Sequence, residues 1–336
     1  MKILYAIQTQ GNGHLSRAQK LVPEFIKKAR VDILTSGPSN NFPTYKTPIK
    51  HYKGFKFFTS KSGSINWIKT IFYNNYFQFL VDIFNSPVKN YDLVVSDYEP
   101  ISAWACVLRG VKCVALSNQY VLNSKNVPKP KRYSRIVLSA INLFCPSKVG
   151  YGYHYRPYNK NILDPIIRDR IREINTSTSN EILIYLPTYS INNILNIIKE
   201  IPVKMKWTIF TNESNSDYNL EGISINSISD DLFTKKIASC YGIICAGGFS
   251  LTSEAIFLGK PMLVVPVKAQ IEQQFNAAAL EKEGIQILKE FSLNYIEKIK
   301  EWINSPTVLH INYKDNSGEI VKKILTTNKW YNGRKY

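Results

Sequence analysis

The stretch from Gly242 to Gly284 constrains the fold more than any other part of the chain. It begins with a short apolar run, too short for a helix and typical of a strand buried on both faces. A helical pattern follows and is ended by Gly259 and Pro261; a second apolar run and a second helical pattern come after it. This order predicts an α/β fold with a parallel sheet, in which ligands bind beyond the carboxyl ends of the strands.

The polar residues of this stretch gather where its strands end and its helices begin. Gly247 and Gly248 let a bulky ligand approach the backbone, and the free N–H groups of the next helix attract an anion. Ser250 and Thr252 add hydroxyl donors, and Glu254 can accept hydrogen bonds from the paired hydroxyls of a ribose. The next helix opens with Glu272 and Gln273, candidate ligands for sugar hydroxyls, and with Asn276, a further donor-side candidate. A plain glycine turn with a solvated Glu254 is the alternative, but the combined spacing favours a sugar-nucleotide site.

This segment resembles the donor-binding signature of GT-B glycosyltransferases. The resemblance is to the branch that contains the N-acetylglucosaminyltransferase of peptidoglycan synthesis and related family-28-type enzymes. It implies an α/β chain of two Rossmann-like, doubly wound domains that face an interdomain cleft. It also implies a nucleotide-sugar donor, UDP-linked, and a glycosyltransferase activity of the hexosyltransferase type.

The length of 336 residues is more than one core usually serves, which predicts two domains. Residues 151–172 lose periodicity and gain Pro and charge, so the linker is expected there. We predict an N-terminal acceptor-binding domain at 1–160 and a C-terminal donor-binding domain at 165–315. In GT-B folds the terminal helix crosses back onto the N-terminal domain, which the resemblance implies for about 316–336. Thr188, at the mouth of the strand that opens the second domain, is a further candidate for contact with the donor phosphates.

A glycine-rich turn follows the first predicted strand, with Gly11, Asn12 and Gly13 ahead of His14. The two glycines fit a dinucleotide-binding fingerprint, but Ser16 stands where the third glycine belongs. The next strand also ends without an acidic residue for a ribose. A nicotinamide or flavin enzyme is therefore disfavoured.

His14 lies at the mouth of the first strand, where a neutral imidazole could take a proton from an acceptor hydroxyl or from water. A helix-capping or phosphate-contacting histidine is the alternative. With Arg17 it completes a G-x-G-H-x-x-R pattern that resembles the acceptor-side loop of GT-B enzymes, in which such a His often acts as base. Asp97 ends another buried strand and is predicted to orient His14 or to bind the acceptor directly. Further acceptor-side candidates are Glu99, an equivalent carboxylate two residues on, and, after the next strand, Asn118 and Gln119.

The charge balance favours anionic partners. Lys and Arg number 43 against 25 Asp and Glu, a net charge of +18, which suits a nucleotide donor, an acidic membrane surface or nucleic acid. The basic loop at 125–135 is either a solvated run or an anchor for lipid headgroups or a polyprenyl diphosphate. Few aromatic residues interleave with it, which weakens a single-stranded nucleic-acid interpretation.

Aromatic residues are concentrated between Ile65 and Phe84, where apolar side chains recur at helical spacing. The first interpretation is a helix packed on the sheet. The second is that the extra aromatics face a lipid acceptor or a membrane interface.

The five cysteines are scattered and predict buried thiols in a reducing compartment. No run approaches ~20 apolar residues, so no membrane span is expected. These features predict a cytoplasmic protein, peripheral on the inner face of the membrane.

The sequence contains neither an Asp-x-Asp motif nor a His/Cys cluster with metal-ligand spacing, so we expect no obligatory metal and no cofactor besides the nucleotide-sugar co-substrate. With a His base and no evident nucleophilic carboxylate, a single in-line displacement that inverts the anomeric centre is predicted. The alternatives are a nucleotide-sugar hydrolase of the same fold and a glycosyltransferase acting on modified nucleic acid.

Overall fold

A computed structural model of the protein describes residues 1–38, 49–55, 58, 67–268 and 270–331. Within these ranges only the backbone is described for residues 12, 49, 67, 68, 71 and 328–331. Strands and helices alternate through both halves of the chain, as the apolar periodicity predicts.

The first half contains seven strands and five helices among the described residues. They are β1 Lys2–Gln8, α1 Asn12–Ile26, β2 Arg30–Ser36, β3 Ile49–Tyr52, α2 Trp67–Tyr73, α3 Tyr76–Asn85, β4 Leu93–Asp97, α4 Pro100–Arg109, β5 Cys113–Leu116, α5 Arg135–Phe144, β6 Val149–Tyr153 and β7 Ile162–Leu163. Short 3-10 turns occupy Val88–Asn90 and Asn118–Asn123.

The second half repeats the alternation. Its elements are α6 Asp169–Glu173, β8 Glu181–Tyr185, α7 Ile191–Ile198, β9 Lys206–Thr211, β10 Tyr218–Leu220, β11 Ile223–Ser227, α8 Asp230–Ser239, β12 Gly242–Cys245, α9 Phe249–Phe257, β13 Met262–Val264, α10 Ile271–Lys282, β14 Gln286–Ile287, α11 Ile296–Asn304 and α12 Ser317–Tyr331. A 3-10 turn at Leu293–Tyr295 precedes α11.

Each half forms its own sheet. The first has the order β3-β2-β1-β4-β5-β6-β7, and its neighbouring strands are parallel. The second has the order β10-β11-β9-β8-β12-β13-β14 and is parallel except for β10, which runs antiparallel to β11. The strand order reverses between β1 and β4 in one sheet and between β8 and β12 in the other. Ligands of doubly wound sheets bind at such reversal points.

The strands are uniformly apolar because both of their faces are covered. In β1, Ile3, Tyr5 and Ile7 pack in one core cluster with α1, while Leu4 and Ala6 pack in another with α4. Helices on both faces of a parallel sheet leave no solvent-facing side for polar residues. The sheet edges at the strands' carboxyl ends are therefore where polar side chains can collect.

Helix α12 returns to the first half and packs against α1. Its residues Ile320, Val321 and Ile324 belong to the same core cluster as the first-sheet residues Ile3 and Tyr5. This packing ties the end of the described chain to its beginning.

The aromatic segment differs from the single helix predicted over 65–84. Residues 65 and 66 lie outside the described residues, and the remainder forms α2 and α3, with the Asn75 side chain capping α3 by accepting a hydrogen bond from the N–H of Gln78 (2.9 Å). In α3 only Asp82 and Ile83 are buried. Packing against the sheet therefore explains few of its aromatic residues. Within the described ranges, no helix is both long and apolar enough to cross a membrane.

Gly152 in β6 offers a direct test of the packing at the sheet edge. A Cβ at this position would lie 2.2 Å from Val121 Cγ1 and 3.0 Å from the Val121 backbone nitrogen. We expect Gly152→Ala to lower the free energy of unfolding by about 1–3 kcal/mol, because the neighbours must shift. Urea unfolding followed by circular dichroism measures it.

Gly318→Ala in α12 is the matched control. Its Cβ would meet Glu24 Oε2 at an ordinary 3.7 Å. Because alanine favours a helix over glycine by roughly 0.5–1 kcal/mol, this variant should be as stable as the parent or more stable. Equal midpoints for the two variants would contradict the packing described for β6.

Candidate functional site

The amino ends of α1 and α9 face each other between the two sheets. Gly11, with φ +101°, turns the chain from β1 into α1, a backbone conformation that favours glycine. Gly248 precedes α9 after β12, with an ordinary extended φ of −70°. A Cβ at Gly13 would lie 2.9 Å from Ser250 Oγ. The first turns of these helices, one from each half, are therefore in contact range.

A buried group of three polar residues stands at this junction. His14 and Arg17 lie one turn apart on α1, and the parallel pairing of Ile7 with Asp97 brings the end of β4 beside them. His14 Nδ1 lies 2.7 Å from Asp97 Oδ1. Arg17 donates to both oxygens of Asp97, from Nε (3.2 Å) and Nη2 (2.8 Å). The prediction that Asp97 contacts His14 thus agrees with the geometry, and Arg17 completes the group.

Asp97 is ionised in this arrangement. Burial by itself raises the pKa of a carboxyl, but the charge of Arg17 and the hydrogen bonds from His14 and Arg17 bring the pKa of Asp97 below its ordinary value. We assign the Nδ1 proton of His14 to the hydrogen bond with Asp97, although Arg17 Nη2 also lies 2.7 Å from Nδ1. This tautomer leaves Nε2 without a proton and able to accept one.

Tyr98, which sequence reasoning missed, holds His14 from its other side. Its ring stacks on the imidazole with centroids 6.3 Å apart and planes 9° apart, and its hydroxyl donates to the carbonyl of Ile141 (3.1 Å). Its φ of +58° is unusual for a residue other than glycine and costs on the order of 1–3 kcal/mol. The signal available in the sequence was an aromatic residue directly after the strand that ends in Asp97.

Glu99, also predicted on the acceptor side, is placed differently from Asp97. It is fully buried and caps α4, accepting hydrogen bonds from the N–H groups of Ile101 (2.9 Å) and Ser102 (2.7 Å). The Ser36 hydroxyl also donates to it (2.6 Å). Both carboxylate oxygens are therefore occupied away from His14.

Two of the predicted donor ligands instead hold the protein together. The hydroxyl of Thr252 is buried and bonds to the carbonyl of Gly248 (2.9 Å) and to the hydroxyl of Tyr155 (2.7 Å). Helix α10 leaves no room for a side chain at Gly247, because a Cβ on Gly247 would lie 2.9 Å from the carbonyl oxygen of Gln273. A Cβ at Gly248 would meet nothing within 4 Å, so the open space predicted for a ligand lies at Gly248 alone.

Gln273, a predicted ligand of sugar hydroxyls, and Asn276, a predicted donor-side residue, both support loops in the structure. Gln273 accepts from the N–H of Val267 (3.0 Å) and donates to the side chain of Gln270 (2.7 Å). Asn276 is buried and donates to the carbonyl of Gly247 (2.9 Å). These bonds fix the turns before α9 and α10. Helix periodicity cannot distinguish them from ligand contacts.

Glu254 is paired with an arginine that sequence reasoning missed. Arg168, from the segment that joins the two sheets, donates to both of its oxygens, from Nε (2.6 Å) and Nη2 (2.7 Å). Arg168 also contacts Asp230 at the start of α8. Burial raises the pKa of the Glu254 carboxyl, and Arg168 opposes that rise. A ribose at Glu254 has to share this carboxylate with Arg168.

The acceptor and donor sides meet directly at Gln119 and Glu272. Gln119 Nε2 donates to Glu272 Oε2 (2.8 Å), a bond that joins the end of β5 to the first turn of α10. Among the described residues, the amide oxygens of Gln119 and Asn118 are buried and have no hydrogen-bond partner. Thr188 lies half-buried in the turn after β8, on the same edge of the second sheet. Asn12 lies in the first turn of α1, and its side chain is outside the described part.

A cavity of about 760 Å³ begins beside this bond. Its polar end contains His14, Gln119 and Glu272, and it continues between α3, α4 and α5. The lining residues are Gln8, Gln10, His14, Phe55, Thr70, Tyr76, Phe79, Leu80, Ile83, Tyr98, Trp104, Leu108, Gln119, Ala140, Ile141, Leu143, Phe144, Gln270, Ile271 and Glu272. Its volume is that of a small-molecule site.

Two further features bear on ligands. The basic loop 125–135 leads into α5, and its exposed Lys125, Lys131, Arg132 and Arg135 form no ion pair with a described residue. In the part of the chain that the structure describes, no group of three His, Cys, Asp or Glu residues is placed to hold a metal ion.

Comparison with known proteins identifies the architecture. The family model of glycosyl transferase family 1 matches residues 1–305. Similar solved structures include the glycotransferase of kitacinnamycin (12% identity, 97% of this chain and 95% of that chain, TM-score 0.60). Phytolacca americana UGT2, complexed with UDP-2fluoro-glucose and pterostilbene, is similar (10% identity, 97% and 93%, TM-score 0.57), as is Acinetobacter baumannii MurG (12%, 97% and 99%, TM-score 0.55). The search of curated proteins found no match. The predicted GT-B fold is confirmed.

The two neighbouring glycines before α9 give a matched pair of variants. We expect Gly247→Ala to lower the free energy of unfolding by about 1–3 kcal/mol, because its Cβ meets the backbone of α10. Gly248→Ala should leave the stability unchanged or raise it by up to about 1 kcal/mol, since its φ of −70° suits alanine and the space is open. Thermal unfolding measures both, and the opposite ranking would contradict the separate roles of these glycines.

Proposed function

Because this chain belongs to glycosyl transferase family 1 and has the GT-B fold, we propose that it is an inverting, metal-independent transferase. It moves a sugar from a UDP-linked donor to an acceptor hydroxyl. The observation that carries the proposal is the buried group of His14, Asp97 and Arg17 opposite the amino end of α9. UDP is the carrier that the family resemblance implies.

The donor diphosphate is proposed to bind at the amino end of α9. Gly248 leaves open space there, and the first N–H groups of a helix attract an anion together with the positive end of the helix dipole. The amino end of α1 lies beside this site, since a Cβ at Gly13 would lie 2.9 Å from Ser250 Oγ, and His14 and Glu272 line the adjoining cavity. Donors fixed in this way stabilise the charge that develops on the leaving diphosphate, without a metal ion.

The rest of the donor is proposed to extend along the second sheet. The ribose lies at Glu254, where one hydroxyl replaces one of the hydrogen bonds from Arg168. The transferred sugar lies beside Glu272, close to the polar end of the cavity. Ser250 and Thr188 border the diphosphate, since both are half-buried at the carboxyl edge of the second sheet.

The proposed chemistry is a single displacement. His14 Nε2 takes the proton of the acceptor hydroxyl as its oxygen attacks the anomeric carbon, and the bond from that carbon to the diphosphate oxygen breaks. Asp97 accepts the Nδ1 hydrogen bond and stabilises the imidazolium that forms, while Arg17 keeps Asp97 ionised. The products are an inverted glycoside, a nucleoside diphosphate and a proton on His14.

Two variants separate binding from chemistry. His14→Ala should reduce kcat about 10²–10⁴-fold, because a general base contributes that much, and should leave the affinity for UDP unchanged. Gly248→Ala should weaken UDP binding, because its Cβ enters the proposed diphosphate site. Calorimetric titration with UDP and a radiolabelled transfer assay with UDP-sugars measure the two effects.

The contrary outcomes are equally clear. Full activity of His14→Ala would remove the proposed base, and unchanged UDP affinity of Gly248→Ala would remove the proposed diphosphate site. Release of free sugar at the full rate without any acceptor would instead indicate the hydrolase.

The stereochemistry is a separate prediction. A single displacement on an α-linked UDP-sugar gives a β-glycoside, because the acceptor attacks the face opposite to the diphosphate. Proton NMR of the first product formed reads the anomeric coupling constant. An α-glycoside would reject the inverting displacement.

A further inference from the structure

The cavity beside His14 has two chemically different ends, and this difference bears on the acceptor. This inference rests on the proposed function, because it treats the cavity as the acceptor site of the transferase. The polar end carries Gln8, His14, Gln119 and Glu272. We call the apolar part of the lining, which lies between α3, α4 and α5, the apolar arm; Gln10, Thr70, Gln270 and Ile271 also line the cavity. The residues of the apolar arm are Phe55, Tyr76, Phe79, Leu80, Ile83, Tyr98, Trp104, Leu108, Ala140, Ile141, Leu143 and Phe144.

Aromatic rings form the inner walls of the apolar arm. The Phe55 ring contacts those of Tyr76, Phe79 and Phe144, with centroids 5.5, 5.7 and 6.0 Å apart. The indole N–H of Trp104 donates to the carbonyl of Leu143 (3.1 Å). This hydrogen bond joins α4 to α5 and satisfies the polar atom of the indole. A guest in the arm therefore meets mostly ring faces and aliphatic side chains.

The outer end of the apolar arm reaches the protein surface. Leu80, Leu108 and Leu143 line it and are 51%, 55% and 62% exposed. Around them, Phe72, Phe77 and Phe84 are also largely exposed. An apolar surface of this kind beside a ligand cavity is uncommon on a protein that binds only polar molecules.

The lining of the cavity argues against a nucleic acid and against an oligosaccharide as the acceptor. Among the described lining residues there is no Lys or Arg, and Glu272 is acidic. A nucleic acid needs cations along its phosphates, and an oligosaccharide in the arm would lose water without gaining hydrogen bonds. An apolar body, in contrast, gains free energy by leaving water for these walls.

We propose that the acceptor is an amphiphile. Its hydroxyl-bearing head lies at the polar end within reach of His14, and its apolar body fills the apolar arm and leaves the protein between Leu80, Leu108 and Leu143. The common chemistry is a hydroxyl attached to a hydrocarbon body. An alkyl chain and a flat aromatic system are the two forms that the experiment distinguishes.

The test measures binding of octyl, decyl and dodecyl β-glucoside by calorimetry, each below its critical micelle concentration. Because a buried methylene stabilises the bound state, Kd should fall by up to about fourfold for each methylene added. The Trp104 fluorescence should change on binding, and Trp104→Phe should remove that change. Phenyl and 2-naphthyl β-glucoside form a second, aromatic series. The series with the larger binding free energy per carbon atom identifies the form of the apolar body.

Two variants locate the site. Ala140→Phe fills the apolar arm from within and should raise the Kd of dodecyl glucoside at least about tenfold, the loss of two or more methylene contacts. Leu108→Glu places a charge at the outer end and should do the same. Leu293→Glu is the matched control, since Leu293 is also 55% exposed and lies outside the cavity, and its Kd should equal that of the parent.

Several outcomes would overturn the proposal. One is a Kd that does not depend on chain length, and another is an equal effect of Leu108→Glu and Leu293→Glu on the Kd. A third is an unchanged Kd in Ala140→Phe, which would place the glucosides on the outer surface. Displacement of dodecyl glucoside by maltohexaose or by hydroxymethylated DNA at lower concentration would also contradict it. None of these measurements needs a donor, so failure of UDP to bind would reject the proposed transferase and leave the result for the apolar arm readable.

Discussion

The burial of one negative charge organises the site. Asp97 is fully buried at the end of β4, and a carboxylate in that position is tolerated only with partners that offset its lost hydration. Arg17 supplies the charge and two hydrogen bonds, and His14 supplies a third contact. This requirement orients the imidazole of His14. Because Nδ1 faces Asp97, Nε2 is the nitrogen that faces the cleft.

The same charge ties the two halves into one functional unit. Helix α1, held by Asp97, presents Gly13 to Ser250 of α9, and Gln119 of the first half bonds to Glu272 of the second. Arg168, from the connecting segment, is bonded to Glu254. The residues at the carboxyl edge of the second sheet are thus in contact with those that surround His14 at the first. The polar end of the cavity is the place where these contacts meet.

Sequence reasoning predicted the alternation of strands and helices because buried parallel strands are continuously apolar and glycines mark where they end. It singled out His14, Asp97 and Arg17, since each follows or ends such a strand, and the structure brings these three side chains together. It also named Glu99, Thr252, Gln273 and Asn276, whose polar groups are used for capping and loop support. A single sequence does not show which partner a side chain chooses. Arg168 was missed because its partner, Glu254, lies 86 residues away in the sequence. Tyr98 was missed because its position depends on an unusual backbone angle.

The measurement that tests the account most directly is an amide NMR titration of ¹⁵N-labelled protein with UDP. The account predicts that the N–H signals of Gly248, Phe249 and Ser250 shift most, because the diphosphate accepts hydrogen bonds from the amino end of α9. Smaller shifts should follow at Gly13 and His14 across the cleft. Shifts confined to residues far from both helix ends, or no shift at all, would contradict it.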